Sequence, residues 1–186
     1  MAFIDVTEYD NSEGKLREIY DEVISKRGKI SNVIKIQSLN PESIRTHLDF
    51  YMSVMFAKSP LSRTQREMMA VVVSVTNNCK YCTIHHAQAL NNYWKDDVRI
   101  AQLIQDYKQT SLPLEDKLLC ELSVVLTKNE NKTDYKKIVE KLSKHNFSNR
   151  AILDATLVIS YFNFVNRMVI SLGVTIETEE GLGYKY

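Results

Sequence analysis

Cys79-Lys80-Tyr81-Cys82-Thr83-Ile84-His85-His86 sets two thiols three positions apart, with an imidazole four positions beyond the second. Two chemistries use such a set. A dithiol can cycle between thiols and a disulfide if one sulfur is held as thiolate, the form that attacks. The same donors can bind zinc, which takes four protein ligands or three plus water. Cys79, Cys82 and either His85 or His86 supply three, and no second CxxC or HxxxH completes the set. A structural role for two buried thiols is the plain alternative. The redox reading is preferred, and no metal or cofactor is expected.

On a helix Cys79, Cys82 and His86 fall at i, i+3 and i+7 and share one face. The first helical turn leaves backbone N–H groups unpaired, and its dipole favours a thiolate. His86, one turn past Cys82, is placed to accept a proton directly or through one water, and an imidazole works better when a carboxylate orients it. Glu67 is the candidate orienter, one helix upstream in an apolar setting. If the two helices pack antiparallel, it returns beside His86. Its plain alternative is a surface residue paired with Arg63 or Arg66.

The elements that must position these groups read as helices. Five glycines and three prolines fall between periodic segments, too few for the turns of a β protein. Leu16, Ile19, Tyr20 and Val23 share one face of a segment from Ser12 to Lys26, which Gly28 stops. Asn40-Pro41 opens a helix to about Phe56. Ser62 and Gln65 form a capping box for a helix to about Thr76, so Val71–Val75 is taken as buried helix rather than strand. Asn77-Asn78 breaks it. The next helix runs from near Cys79 to about Tyr93. Others follow from Asp96 to Tyr107, Pro113 to Thr127 and Thr133 to Lys144. A long one from Ser148 to Leu172 is closed by Gly173. The expected fold is all-α, a single-domain bundle of about seven to eight helices over residues 1–186. It divides into N-terminal helices (1–58), a CxxC core (59–110), C-terminal helices (111–174) and an extended tail (175–186).

Composition narrows the function. The 186 residues carry a formal net charge of +1, and no basic run is interleaved with aromatics, so neither nucleic acid nor an anionic membrane is an expected partner. The first residues lack the features of a signal peptide, and the longest apolar stretches are short or interrupted. Three cysteines are too few for a disulfide scaffold, which favours a cytoplasmic setting. Cys120 reads as a buried, inert thiol. His47 and His145 have no chemical company and read as exposed. Tyr161, Phe162 and Phe164 read as core or subunit contact, or as the wall of a pocket for an apolar peroxide. Arg167 in that apolar helix needs a carboxylate across an interface or an anionic substrate. The breadth of apolar surface on the last helix suggests burial against another subunit.

Glu67, Cys79, Cys82 and His86 at these spacings resemble the alkylhydroperoxidase D family within the carboxymuconolactone decarboxylase superfamily. The flanking Ser62–Glu67 and Tyr81–Ala87, with Ile34–Pro41 and Tyr161–Arg167, look most like its branch of uncharacterised peroxidase-related proteins. The resemblance spans most of the chain. It implies an alkylhydroperoxidase D-like helical fold assembled as trimers or hexamers. It also implies peroxide reduction, with Cys82 as the attacking thiol, Cys79 as the resolving one, and Glu67 and His86 as proton relay. A dihydrolipoyl protein or a thioredoxin-like dithiol would reduce the disulfide. Tyr81 stands where the best-studied members carry a second relay histidine. His85 is the candidate substitute, although it projects about 100° from His86 around a helix. The alternatives kept are a non-enzymatic oligomer whose dithiol senses oxidants or staples the fold, and, ranked lower, a lactone decarboxylase, whose chemistry has no need of paired thiols.

Overall fold

The computed structural model describes residues 2–128 and 131–177. Among these the protein is all-α, with no strand. The helices are α1 (Gly14–Arg27), α2 (Asn32–Lys35), α3 (Pro41–Phe56), α4 (Arg63–Thr76), α5 (Lys80–Trp94), α6 (Asp97–Asp106), α7 (Leu114–Lys128), α8 (Lys132–Lys144) and α9 (Asn149–Ser171). The one beyond expectation is α2, whose four residues are too short to leave an apolar period in the sequence. The tail foreseen from 175 lies mostly outside the described residues; 175–177 carry no helix.

Two compact units divide the chain. The first comprises Met1–Tyr51 and Met168–Tyr186. Its core is Leu16, Ile19, Tyr20 and Val23 of α1, with Ile34 and Ile44. Gly28 ends α1 at φ 81°, a left-handed conformation that glycine adopts without steric cost. His47, expected on the surface, is buried instead. It lies one turn beyond the fully buried Ile44 on the inward face of α3. Its Nδ1 meets Gln37 Nε2 at 2.8 Å, so the buried ring has a polar partner. Burial, aided by the Arg27 charge, lowers its pKa from 6.5 to about 4, and the imidazole is neutral.

The second unit, Met52–Arg167, holds every residue of the candidate site. Its centre is α4, which packs against α5, α6 and α7, while α7 supports α8 and α5 supports α6. Residues 66–74 are buried without a break. A helix enclosed in this way needs apolar side chains all round, which Met68–Val73 provide. The start of α4 is fixed by the capping box: Gln65 N–H donates to Ser62 Oγ at 3.1 Å, and Ser62 N–H to Gln65 Oε1 at 3.0 Å. Arg66, also buried, donates to the carbonyls of Val54, Ala57 and Leu61. It thereby satisfies carbonyls at the end of α3 and in the loop that follows. Cys120 on α7 is fully buried, and desolvation raises its pKa. No helix among the described residues is long and apolar enough to cross a membrane.

Candidate active site

The turn between α4 and α5 sets the geometry. Asn77 caps α4, and Asn78 takes the left-handed conformation at φ 57°, which a short polar side chain tolerates. Cys79 follows as the N-cap of α5, its N–H donating to the Ser74 carbonyl at 2.8 Å. So short a link turns the chain back, and α5 packs along α4. Glu67, ten residues before Asn77, and His86, eight after Asn78, thereby meet: His86 Nδ1 lies 2.7 Å from Glu67 Oε2.

Glu67 has no exposed surface. Burial opposes its ionisation, but the His86 hydrogen bond and charge, with those of Arg63, outweigh burial and hold its pKa below the usual carboxylate range. Arg63 donates to Glu67 Oε1 through Nε at 3.0 Å and Nη2 at 2.5 Å. The guanidinium also donates to the Met55 carbonyl at 3.1 Å and lies 3.6 Å over the Phe56 ring. Glu67 is thus not the surface residue of the plain reading: it is buried, and it bonds both Arg63 and His86. With Glu67 ionised, His86 Nδ1 carries the hydrogen of this bond, and Nε2 has a lone pair whenever the ring is neutral. Phe162 of α9 packs edge-on to the His86 ring at 4.4 Å.

Cys79 and Cys82 are free thiols, 1% and 2% exposed. The Cys82 thiol donates to the Cys79 sulfur, which lowers the Cys79 pKa against the effect of burial. Cys82 is pushed up, first because Cys79 holds its hydrogen and then by burial. The titration belongs to the pair, and the first proton to leave comes from Cys79. The resemblance assigned attack to Cys82, one turn further on and nearer His86.

His85 points away from this group. It is buried, with its ring 4.4 Å from that of Tyr81 at 55°. Arg167, expected to be buried, is exposed; its Nη1 donates to the Asn163 carbonyl at 3.1 Å and to Asn163 Oδ1 at 2.9 Å. These two and three apolar neighbours, with Ser160, line an open cleft of about 360 Å³. Among the described residues no three His, Cys, Asp or Glu side chains gather as metal ligands would.

Sequence reasoning missed Asn166 of α9. It is wholly buried, hydrogen-bonds Ser74 and Asn77, and reaches the Cys82 thiol. The available signal was an asparagine at a position where the period of α9 calls for an apolar residue. Arg63 was considered only as a surface partner of Glu67.

The profile of the carboxymuconolactone decarboxylase family matches residues 41–106, which include Glu67, both site cysteines and His86. The uncharacterized protein YdfG of Bacillus subtilis (strain 168) is 24% identical over 144 residues, covering 77% of this chain and 96% of that protein. Two solved structures share the fold over nearly the whole chain. One is an uncharacterized peroxidase-related protein with an alkylhydroperoxidase AhpD core from Ralstonia eutropha JMP134. It has a TM-score of 0.83 at 24% identity, covering 97% of this chain and 95% of that one. The other is an uncharacterized peroxidase-related protein from Silicibacter sp. TM1040. It also has a TM-score of 0.83, at 26% identity, covering 98% and 94%.

Proposed function

This chain belongs to the carboxymuconolactone decarboxylase superfamily, on its alkylhydroperoxidase D-like side, and from that premise we propose that it is a thiol-dependent peroxidase for hydrogen peroxide or an organic hydroperoxide. The observation that carries the reading is the Arg63–Glu67–His86 chain, with Glu67 fully buried at its centre, ending one turn from Cys82 of a pair of reduced thiols.

The chemistry starts when the pair loses its first proton, from Cys79, and keeps the second between the sulfurs. Transfer of this second proton from Cys82 to Cys79 along the existing hydrogen bond makes Cys82 the thiolate and Cys79 the thiol. Cys82 Sγ attacks the terminal peroxide oxygen, and the O–O bond breaks. The departing alkoxide or hydroxide takes a proton delivered through His86, whose positive form Glu67 stabilises. Cys82 is now a sulfenic acid. The Cys79 thiol attacks that sulfur, a disulfide forms, and water leaves with the sulfenic oxygen. One peroxide and two thiols thus give one alcohol or water, a second water and one disulfide. An external dithiol, of the dihydrolipoyl or thioredoxin-like kind, returns two electrons and two protons. Such a cycle requires a reducing compartment, which favours the cytoplasm.

The reading also carries self-association. Leu153, Leu157 and Phe164 lie on one outward face of α9 and are 54%, 37% and 50% exposed. A stripe of that kind suits a homo-oligomer, a trimer or hexamer.

The test is peroxide turnover by the wild type, Cys82→Ser and Cys79→Ser, supplied with a dithiol. Cys82→Ser is expected to consume no peroxide. Cys79→Ser is expected to oxidise once, yield a sulfenic acid trappable by dimedone, and stop. The reverse pattern reassigns the attack to Cys79. A wild type that forms its disulfide reversibly yet turns over no peroxide with any dithiol rejects the peroxidase and leaves a redox sensor.

A further inference from the structure

Asn166 is a fully buried amide, and Phe162 and Val165 near it on α9 are buried too. A buried amide is costly unless its groups are paired, so each atom needs a partner. The Ser74 hydroxyl donates to the Ala70 carbonyl at 2.7 Å, and can therefore only accept from the Asn166 group facing it at 3.3 Å. That group must be Nδ2. Asn77 Nδ2 donates, also to Asn163 Oδ1 at 3.0 Å, so the Asn166 atom 3.1 Å away must be Oδ1. Two independent constraints thus orient one amide. They leave one hydrogen on Nδ2, and the Asn166 side chain reaches the Cys82 thiol.

We propose that Asn166 is a positioning residue for the dithiol, its second amide hydrogen reserved for the Cys82 sulfur in its thiolate form. The titratable groups that α5 sets one turn to either side of Cys82 in sequence are Cys79 and His86, with Glu67 of α4 hydrogen-bonded to His86. The charged side chains of α9 are Arg150 and Asp154, paired with each other near its start, and exposed Arg167, which is turned to Asn163. Among the described residues, the groups that bear on the Cys82 sulfur thus include a neutral donor and no fixed cation. When the pair loses one proton the negative charge sits first on Cys79; Asn166 lowers the cost of moving it to Cys82. Ser74 couples the two ends: its hydroxyl holds Asn166 while its carbonyl holds the Cys79 amide. The proposal deepens the peroxidase reading, which it needs only for naming Cys82 as the attacker.

The experiment uses no peroxide. In a Cys79→Ala, Cys120→Ser background Cys82 is the one remaining thiol. Its rate of alkylation by iodoacetamide is followed from pH 5 to 11, with the melting temperature recorded for each variant. Asn166→Leu is expected to move the midpoint upward, cutting the rate at neutral pH roughly tenfold. Asn166→Asp keeps the shape if the leucine variant does not fold, and its carboxylate moves the midpoint up as well. Variants with a lower melting temperature but an unchanged midpoint overturn the proposal and leave Asn166 a structural residue. A shifted midpoint in a protein whose wild type turns over no peroxide sustains it while removing the peroxidase reading.

Discussion

Glu67 keeps its charge without any contact with water because Arg63 and His86 surround it. Its pKa is held below that of the unfolded chain, so the stability it contributes is present above the ordinary carboxylate range, near 4.3, and is lost as pH falls through and below that range. Glu67→Gln is expected to flatten this acid limb in urea denaturation between pH 3 and 7. The same variant removes the anion that keeps the hydrogen on His86 Nδ1. The peroxide rate constant at pH 7 should fall by about 10²-fold or more, by stopped-flow measurement of thiol loss. His47 has the opposite chemistry and the same sign. Its pKa is lowered to about 4, so the unfolded chain binds its proton first, and stability is lost as pH falls from about 6.5 toward 4. The shift of about two and a half pH steps corresponds to about 3 kcal/mol at most. His47→Gln should abolish that part of the pH dependence in the same denaturation series.

The hairpin of α4 and α5 was legible because its signals are local. Ser62 and Gln65 mark one end, the paired asparagines mark the turn, and arms of similar length, ten and eight residues, bring Glu67 to His86. Ser62→Ala removes one half of the capping box and should lower stability by about 1 kcal/mol, read as a lower urea midpoint at unchanged slope. What escaped the sequence depends on partners distant in the chain. His47 looked solitary because Gln37 belongs to the segment just after α2, a helix too short to leave a pattern. Asn166 looked like one polar residue in an apolar helix because its partners, Ser74 and Asn77, lie about ninety positions earlier. Arg167 shares that helix and was expected to be buried. A neighbour one position away points about 100° round the axis, and that rotation takes Arg167 into solvent while Asn166 faces inward.

At the scale of the molecule, the exposed stripe of α9 is the feature that a lone chain does not account for. Leu157→Glu combined with Phe164→Glu places two like charges on it without touching the site. In light scattering coupled to gel filtration the wild type is expected as a trimer or hexamer and the double variant as a smaller species, with helical circular dichroism retained. A wild type that already runs as a monomer removes the interface. The unbroken burial of α4 from residue 66 to 74 has a consequence of another kind. Backbone enclosed on every side opens only when its surroundings come apart, so these amides should be among the slowest in the chain to exchange with deuterium. The carboxylate that hydrogen-bonds the His86 imidazole is carried on that stretch. Warming would then not erode the acid–base pair gradually. A half-inactivated sample would be a mixture of fully competent and fully collapsed copies, and the catalytic constants of the survivors would stay constant to the end.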